Sequence, residues 1–135
     1  MMRLLLDTSA ALALVLKDNE SHSRVRERVR GHELGLAGHA RFETYSVLTR
    51  LPGTARLSGP AAVRVVRRAF PATVALSKSL ALQAPRLMSE AGIAGGATYD
   101  GLVALAAREA GAPLLSCDRR AARTYALLGV ETTIL

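Results

Sequence analysis

Leu4-Leu5-Leu6-Asp7-Thr8-Ser9 decides how the chain reads: a short apolar run is halted by three residues of helix-capping type, and Ala10 to Lys17 continues as helix. A strand enters a helix there, and the same alternation runs on. Ser21 or Ser23 stands where it can cap a second helix through Arg30, with Val25 and Val29 on its buried stripe and Gly31 closing it. Leu34 to Ala37 reads as a second strand, and His39 to Leu51 as a helix stopped by Leu51-Pro52-Gly53. After the polar segment Thr54 to Gly59, Pro60 opens a helix over Ala61 to Phe70, and Thr73 to Leu76 is a short strand. Ser77 caps a helix through Glu90, in which Pro85 predicts a kink or a break. Beyond the loop Gly92 to Gly96 come a helix (Thr98 to Ala110), a strand (Pro113 to Cys117), a helix (Arg119 to Leu128) and a last strand (Val130 to Leu135). Short apolar strands alternating with helices predict an α/β domain whose parallel sheet is covered on both faces.

The chain of 135 residues has the size of one compact domain, so residues 1–135 are expected to form a single unit. Half of the residues are hydrophobic and 21% are charged, with a mean hydropathy of +0.20, which excludes intrinsic disorder. Aromatics make up only 4%, so the core is aliphatic, base recognition through an aromatic stacking platform lacks material, and an RRM-like or cold-shock reader is disfavoured. The formal charge is +7, and because Lys17 and Lys78 are the only lysines it is almost wholly guanidinium, which suits a phosphate-rich partner as well as a GC-rich coding sequence. A lone Cys117 cannot form an internal disulfide, which fits the cytoplasm, and it reads as a small core residue rather than a nucleophile. Asp7 interrupts the apolar start, so neither a signal peptide nor a membrane span is expected.

In parallel α/β sheets, sites lie beyond the carboxyl ends of the strands. Asp7 follows the first strand and Asp118 follows the strand that ends near Ser116. Asp100 opens its helix on the face shared with Val103, Ala104 and Ala107, and Glu43 borders the arc of Ala40, Val47 and Leu51. Each aspartate alone reads as a helix cap. Together, four acids interrupting apolar elements in a protein with eleven acids predict a carboxylate cluster. Such a cluster repels itself and needs protons or a cation, and all-oxygen ligation selects Mg²⁺ or Mn²⁺.

The segments Leu5-Leu6-Asp7-Thr8-Ser9, Arg41-Phe42-Glu43-Thr44-Tyr45-Ser46-Val47-Leu48-Thr49-Arg50-Leu51-Pro52, Tyr99-Asp100 and Ser116-Cys117-Asp118-Arg119-Arg120 together resemble the PIN-domain proteins, specifically the VapC-type toxins of bacterial toxin–antitoxin pairs. The resemblance covers the whole chain. It implies a three-layer α/β/α domain with a five-stranded parallel sheet, a homodimer, a Mg²⁺- or Mn²⁺-dependent endoribonuclease that cuts with metal-activated water, and a small VapB-type antitoxin. By the same resemblance Asp7, Glu43, Asp100 and Asp118 are the catalytic, metal-binding acids, and Thr8, Ser9 and Ser116 are hydroxyl positions beside them. Arg119, Arg120 and Arg123 lie closest to the acids in sequence and are the candidates for RNA phosphate contact. Two other readings remain: an inactive PIN fold that only binds RNA or protein, and a housekeeping PIN nuclease without an antitoxin.

Other chemistries fit less well. A phosphatase of the HAD type needs a second Asp two residues after the first, where Ser9 stands; the Gly92 to Gly96 loop lacks the Gly-Lys-Ser/Thr ending of a P-loop, although its closeness to Asp100 suggests a wall of the substrate groove. His22, His32 and His39 have no zinc-ligand spacing and receive no role.

Overall fold

The computed structural model describes residues 1–135. Strand β1 (Arg3–Leu6) leads into α1 (Thr8–Val15) and α2 (His22–Arg28), and β2 (Glu33–Leu36) into α3 (Ala40–Thr49), a 3₁₀ turn (Gly53–Ala55), α4 (Gly59–Ala69), α5 (Lys78–Glu90) and α6 (Ala97–Ala110). The chain closes with β3 (Leu114–Ser116), a 3₁₀ turn (Arg119–Ala121), α7 (Ala122–Leu127) and β4 (Thr132–Ile134). The sheet order is β2-β1-β3-β4, with every pair parallel. β1 is therefore central, and Leu5 and Leu6 stand opposite Leu114 and Leu115 of β3. Successive side chains of a strand face opposite ways, yet Leu4, Leu5 and Leu6 are all at most 1% exposed. Both faces of the sheet are covered, as continuous apolar strands require.

The sheet has four strands where five were expected. At Thr73 to Leu76 the chain does run beside β2: Ala72 N donates to Leu34 O (2.8 Å), Val74 N to Leu36 O (3.0 Å) and Gly38 N to Val74 O (2.9 Å). Only one parallel bridge forms, between Ala37 and Val74. The cause is Thr73, whose Oγ1 takes the Leu36 N–H at 3.0 Å while donating to Phe70 O at 2.8 Å, so a side chain occupies the place of a ladder carbonyl. Gly35 permits the approach, because a Cβ there would stand 2.1 Å from the Ala72 carbonyl oxygen.

Capping follows the sequence except at α2, where Ser21 stands at the N-cap position but its side chain makes no capping bond. Ser58 accepts from Ala61 N and Ser77 from Leu80 N, and Gly111 ends α6 in the left-handed conformation at φ 64°. Pro85 does not break α5; it lies on the exposed side, where water can satisfy the carbonyl it leaves unpaired. The helix expected over Arg119 to Leu128 instead divides into a 3₁₀ turn and α7. A cluster of 28 buried hydrophobic residues forms the core, and no helix is long and apolar enough to cross a membrane.

Candidate active site

Because β1 and β3 are neighbours, their carboxyl ends deliver Asp7 and Asp118 to one edge, and Asp7 N extends the pairing by donating to Leu115 O at 3.1 Å. Asp7 is 4% exposed and well held: Oδ1 accepts from Ala10 N (3.0 Å) and Ser9 Oγ (2.6 Å), and Oδ2 accepts from Tyr125 Oη (2.7 Å). It caps α1 and also faces the edge, so capping and site geometry coexist in one residue. Asp118 does the same at the next strand, where its Oδ1 accepts from Arg120 N at 2.9 Å. Ser9 ties the two strand ends together: its Oγ accepts from Cys117 N (2.8 Å) and stands 3.4 Å from Ser116 Oγ, which within its own strand end accepts from Asp118 N (3.0 Å).

Glu43 arrives on α3. Thr8 Oγ1 donates to its Oε2 at 3.3 Å, and His39 Nε2 stands 3.2 Å from its Oε1. Asp100, on the first turn of α6, is the only one of the four that accepts no hydrogen bond from the protein. Burial, followed by the charges of Asp118, Asp7 and Glu43, raises its pKa from 3.8 to about 6, with Arg120 pulling the other way. Burial and the Asp7 charge likewise hold the Tyr125 hydroxyl protonated, fixing it as a donor to Asp7. Burial first and the Asp7 charge second raise the pKa of the Cys117 thiol, which favours its protonated form.

These groups line one cavity of about 70 Å³: Asp7, Thr8, Ser9, Glu43, Asp100, Val103, Asp118 and Tyr125. Larger cavities of about 480 and 250 Å³ run along α3, but apolar side chains dominate them; chemistry rather than size singles out the acidic one. The four acids share the cavity without forming a finished ligand set, since no three of them stand close enough to hold a metal ion as placed. No Lys or Arg lines the cavity, so nothing in its lining offsets the repulsion among the four carboxylates.

The remaining expectations divide. Arg119, Arg120 and Arg123 are exposed outside the cavity, and of them only Arg120 approaches an acid, with Nε 3.6 Å from Asp118 Oδ1. The Gly92 to Gly96 loop lines a different cavity, with Pro85, Met88 and Thr98, and is not a wall of the acidic one. Two residues without a sequence role belong here. His39 precedes Glu43 by four positions, a helical spacing that could have paired them. Tyr125 is 118 positions from Asp7, and nothing local to either residue announces the contact.

Residues 4–127 match the PIN domain family. The chain is 42% identical over 131 residues to Ribonuclease VapC27 of Mycobacterium tuberculosis, covering 97% of this chain and 96% of that one. It is also 42% identical over 136 residues to Ribonuclease VapC40 of the same organism, covering 96% of each. Among solved structures, VapBC2 from Rickettsia felis, bound to a DNA fragment from its promoter, superposes with a TM-score of 0.70 at 12% identity, covering 99% of both chains. The sarcin-ricin-loop-cleaving toxin VapC20 of M. tuberculosis gives 0.60 at 19% identity, covering 81% of this chain and 84% of that one. At such low identities these two speak for the fold alone.

Proposed function

The chain belongs to the PIN-domain family, alongside the VapC ribonucleases, and from that membership we propose that it is an endoribonuclease acting as the toxin of a toxin–antitoxin pair. The observation that carries the site is the single cavity at the ends of β1 and β3 lined by Asp7, Glu43, Asp100 and Asp118. We assign these four as the catalytic, metal-holding acids of one domain spanning 1–135. An all-oxygen donor set without a lysine or arginine among its lining residues fits Mg²⁺ or Mn²⁺. When bound, such an ion supplies a water acidic enough to attack at neutral pH and neutralises charge that builds on the phosphoryl oxygens.

The chain's own residues do the rest. Asp7 is the fixed point, since three donors hold its carboxylate and it cannot turn away. Thr8 fixes one oxygen of Glu43 while His39 stands by the other, which leaves Glu43, or Asp118 across the cavity, to steer the attacking water. Ser9, bonded to Cys117 N and in contact with Ser116 Oγ, holds the two strand ends that carry Asp7 and Asp118 beside one another. Asp100 has no donor of its own, so it gains most from a cation. Arg120, 3.6 Å from Asp118, and the exposed Arg119 and Arg123 on the same segment are the cations we assign to phosphates on either side of the cut.

The partners are an RNA substrate, a second copy of the chain in a homodimer, and a small antitoxin of VapB type in the cytoplasm. The antitoxin reading draws support from the groove of about 480 Å³ lined by Arg41, Phe42, Tyr45, Val63, Val66 and Arg67, an apolar surface where a partner segment can lie while its own Arg or Lys enters the acidic cavity. Sequencing RNA 5′ ends after induction, then mapping both termini made by purified protein, tests the reaction. Products carry 5′-phosphate and 3′-hydroxyl ends, and EDTA stops their formation. Cyclic 2′,3′-phosphates, or undiminished cutting in EDTA, contradict hydrolysis at a metal site.

A further inference from the structure

The protein contains five aromatic side chains, Phe42, Tyr45, Phe70, Tyr99 and Tyr125. Phe70 and Tyr125 are each 1% exposed, whereas Phe42 and Tyr99 remain 59% and 54% exposed. Large rings left in water run against the gain from burying them, and these two are not scattered. Tyr99 directly precedes Asp100, and Phe42 directly precedes Glu43. His39 lies between them. Its ring stacks on Tyr99 with centroids 5.1 Å apart and planes 25° apart, and tilts against Phe42 at 6.0 Å, while its Nε2 is 3.2 Å from Glu43 Oε1. The Arg41 guanidinium sits 5.1 Å over the Phe42 ring. α3 and α6 are thus joined by a His–Tyr stack whose members adjoin two acids of the cavity, His39 by its contact with Glu43 and Tyr99 by its place before Asp100.

We propose that Tyr99, backed by His39, is the stacking platform for a nucleobase next to the scissile phosphate. This rests on the RNA-cleaving reading and extends it to how the substrate is gripped. A phosphate at the acids carries its flanking bases within one nucleotide of the cavity rim, and Tyr99 is the exposed ring adjoining an acid of that cavity on α6. His39 covers one side of the ring and restrains its rotamer, so little further order is lost when a base lies on the part that remains open. Stacking on such a ring accepts any base, because every base has a π-face. Arg41 on Phe42 adds a cation beside the same path, suited to the neighbouring phosphate.

The test uses the full chain with Mg²⁺ and synthetic RNAs spanning a mapped cut site, either intact or with an abasic residue at one of the two flanking positions. Wild type cuts the intact RNA with a kcat/KM roughly tenfold above that of one of the abasic RNAs, about the worth of one stacked base. Tyr99→Ala brings the intact RNA down to the abasic level without slowing the abasic RNA further, and Tyr99→Phe keeps the preference. If Tyr99 only braced His39 and Glu43, Tyr99→Ala would slow both RNAs equally, and that result overturns the proposal. A wild type that cuts intact and abasic RNA alike also overturns it and leaves the nuclease reading standing, and this comparison needs no variant to fold. If Tyr99→Ala cuts both RNAs as wild type does but releases the antitoxin, the ring serves a protein partner instead and the proposal fails. Failure of wild type to cut any RNA removes the nuclease reading and the platform together.

Discussion

Asp100→Asn abolishes RNA cleavage and at the same time makes the metal-free protein more stable above pH 6. The two effects share one cause. Asp100 sits among three other carboxylates with no hydrogen-bond donor, so its pKa in the folded chain rises from 3.8 to about 6. Between those values the folded state binds more protons than the unfolded one, so stability falls as pH rises through the window, and the full cost is present above about pH 6. A shift of this size corresponds to about 3 kcal/mol, and solvent screening of a half-open carboxylate reduces it to about 1 to 2 kcal/mol. Melting in EDTA should therefore place the variant a few degrees above wild type at pH 8 and level with it near pH 4. Activity should fall beyond the roughly 10- to 100-fold that loss of a metal ligand's outer partner costs. Asp7→Asn separates the two effects. It too removes cleavage, but the new amide faces Tyr125 Oη in place of an accepting oxygen, so no stability is gained. Equal melting of wild type and Asp100→Asn at pH 8 would mean that the cavity stores no repulsion.

Expression of the wild-type chain alone should arrest growth, and co-expression with a protein of under roughly 100 residues encoded beside it should restore growth, if the chain is a ribonuclease that destroys its own cell's RNA. Asp100→Asn expressed alone is harmless, which separates toxicity by cleavage from toxicity by mere overproduction. The two proteins co-purify as a complex with little nuclease activity. The groove on α3 and α4, with Phe42, Tyr45 and Val63 exposed at 59%, 40% and 43%, is where an apolar segment of the partner gains most by burial. Growth without any neighbouring small protein, from a chain that still binds metal, would instead identify a housekeeping nuclease.

The acids were legible because each interrupts an apolar element, and parallel strands direct such residues to one edge; Asp7 after Leu4 to Leu6 is the plainest case. That signal cannot set distances, so the carboxylates gather around one cavity without making a finished ligand set. His39 has no zinc-ligand spacing, and its role comes instead from a carboxylate one helical turn away. Tyr125 reads as an ordinary core residue of α7, and its bond to Asp7 is created by the packing of α7 beneath the sheet edge. The fifth strand is absent for a subtler reason: residues 73–76 have strand composition and strand position, but one threonine hydroxyl takes the ladder's hydrogen bond. Five aromatics in the whole chain speak against a stacking platform, but composition cannot say that two of them stand next to acids of the cavity.

Melting of the metal-free wild type during Mn²⁺ titration, with RNA cutting followed in the same samples, tests the acidic cavity most directly. A site that binds the ion only when folded gains about 2.7 kcal/mol at a hundredfold excess over Kd. The wild-type melting temperature should climb with Mn²⁺ as cutting appears, and Asp100→Asn should do neither. A wild-type melting temperature indifferent to Mn²⁺, or an equal rise in Asp100→Asn, would contradict a metal-dependent nuclease site built from Asp7, Glu43, Asp100 and Asp118.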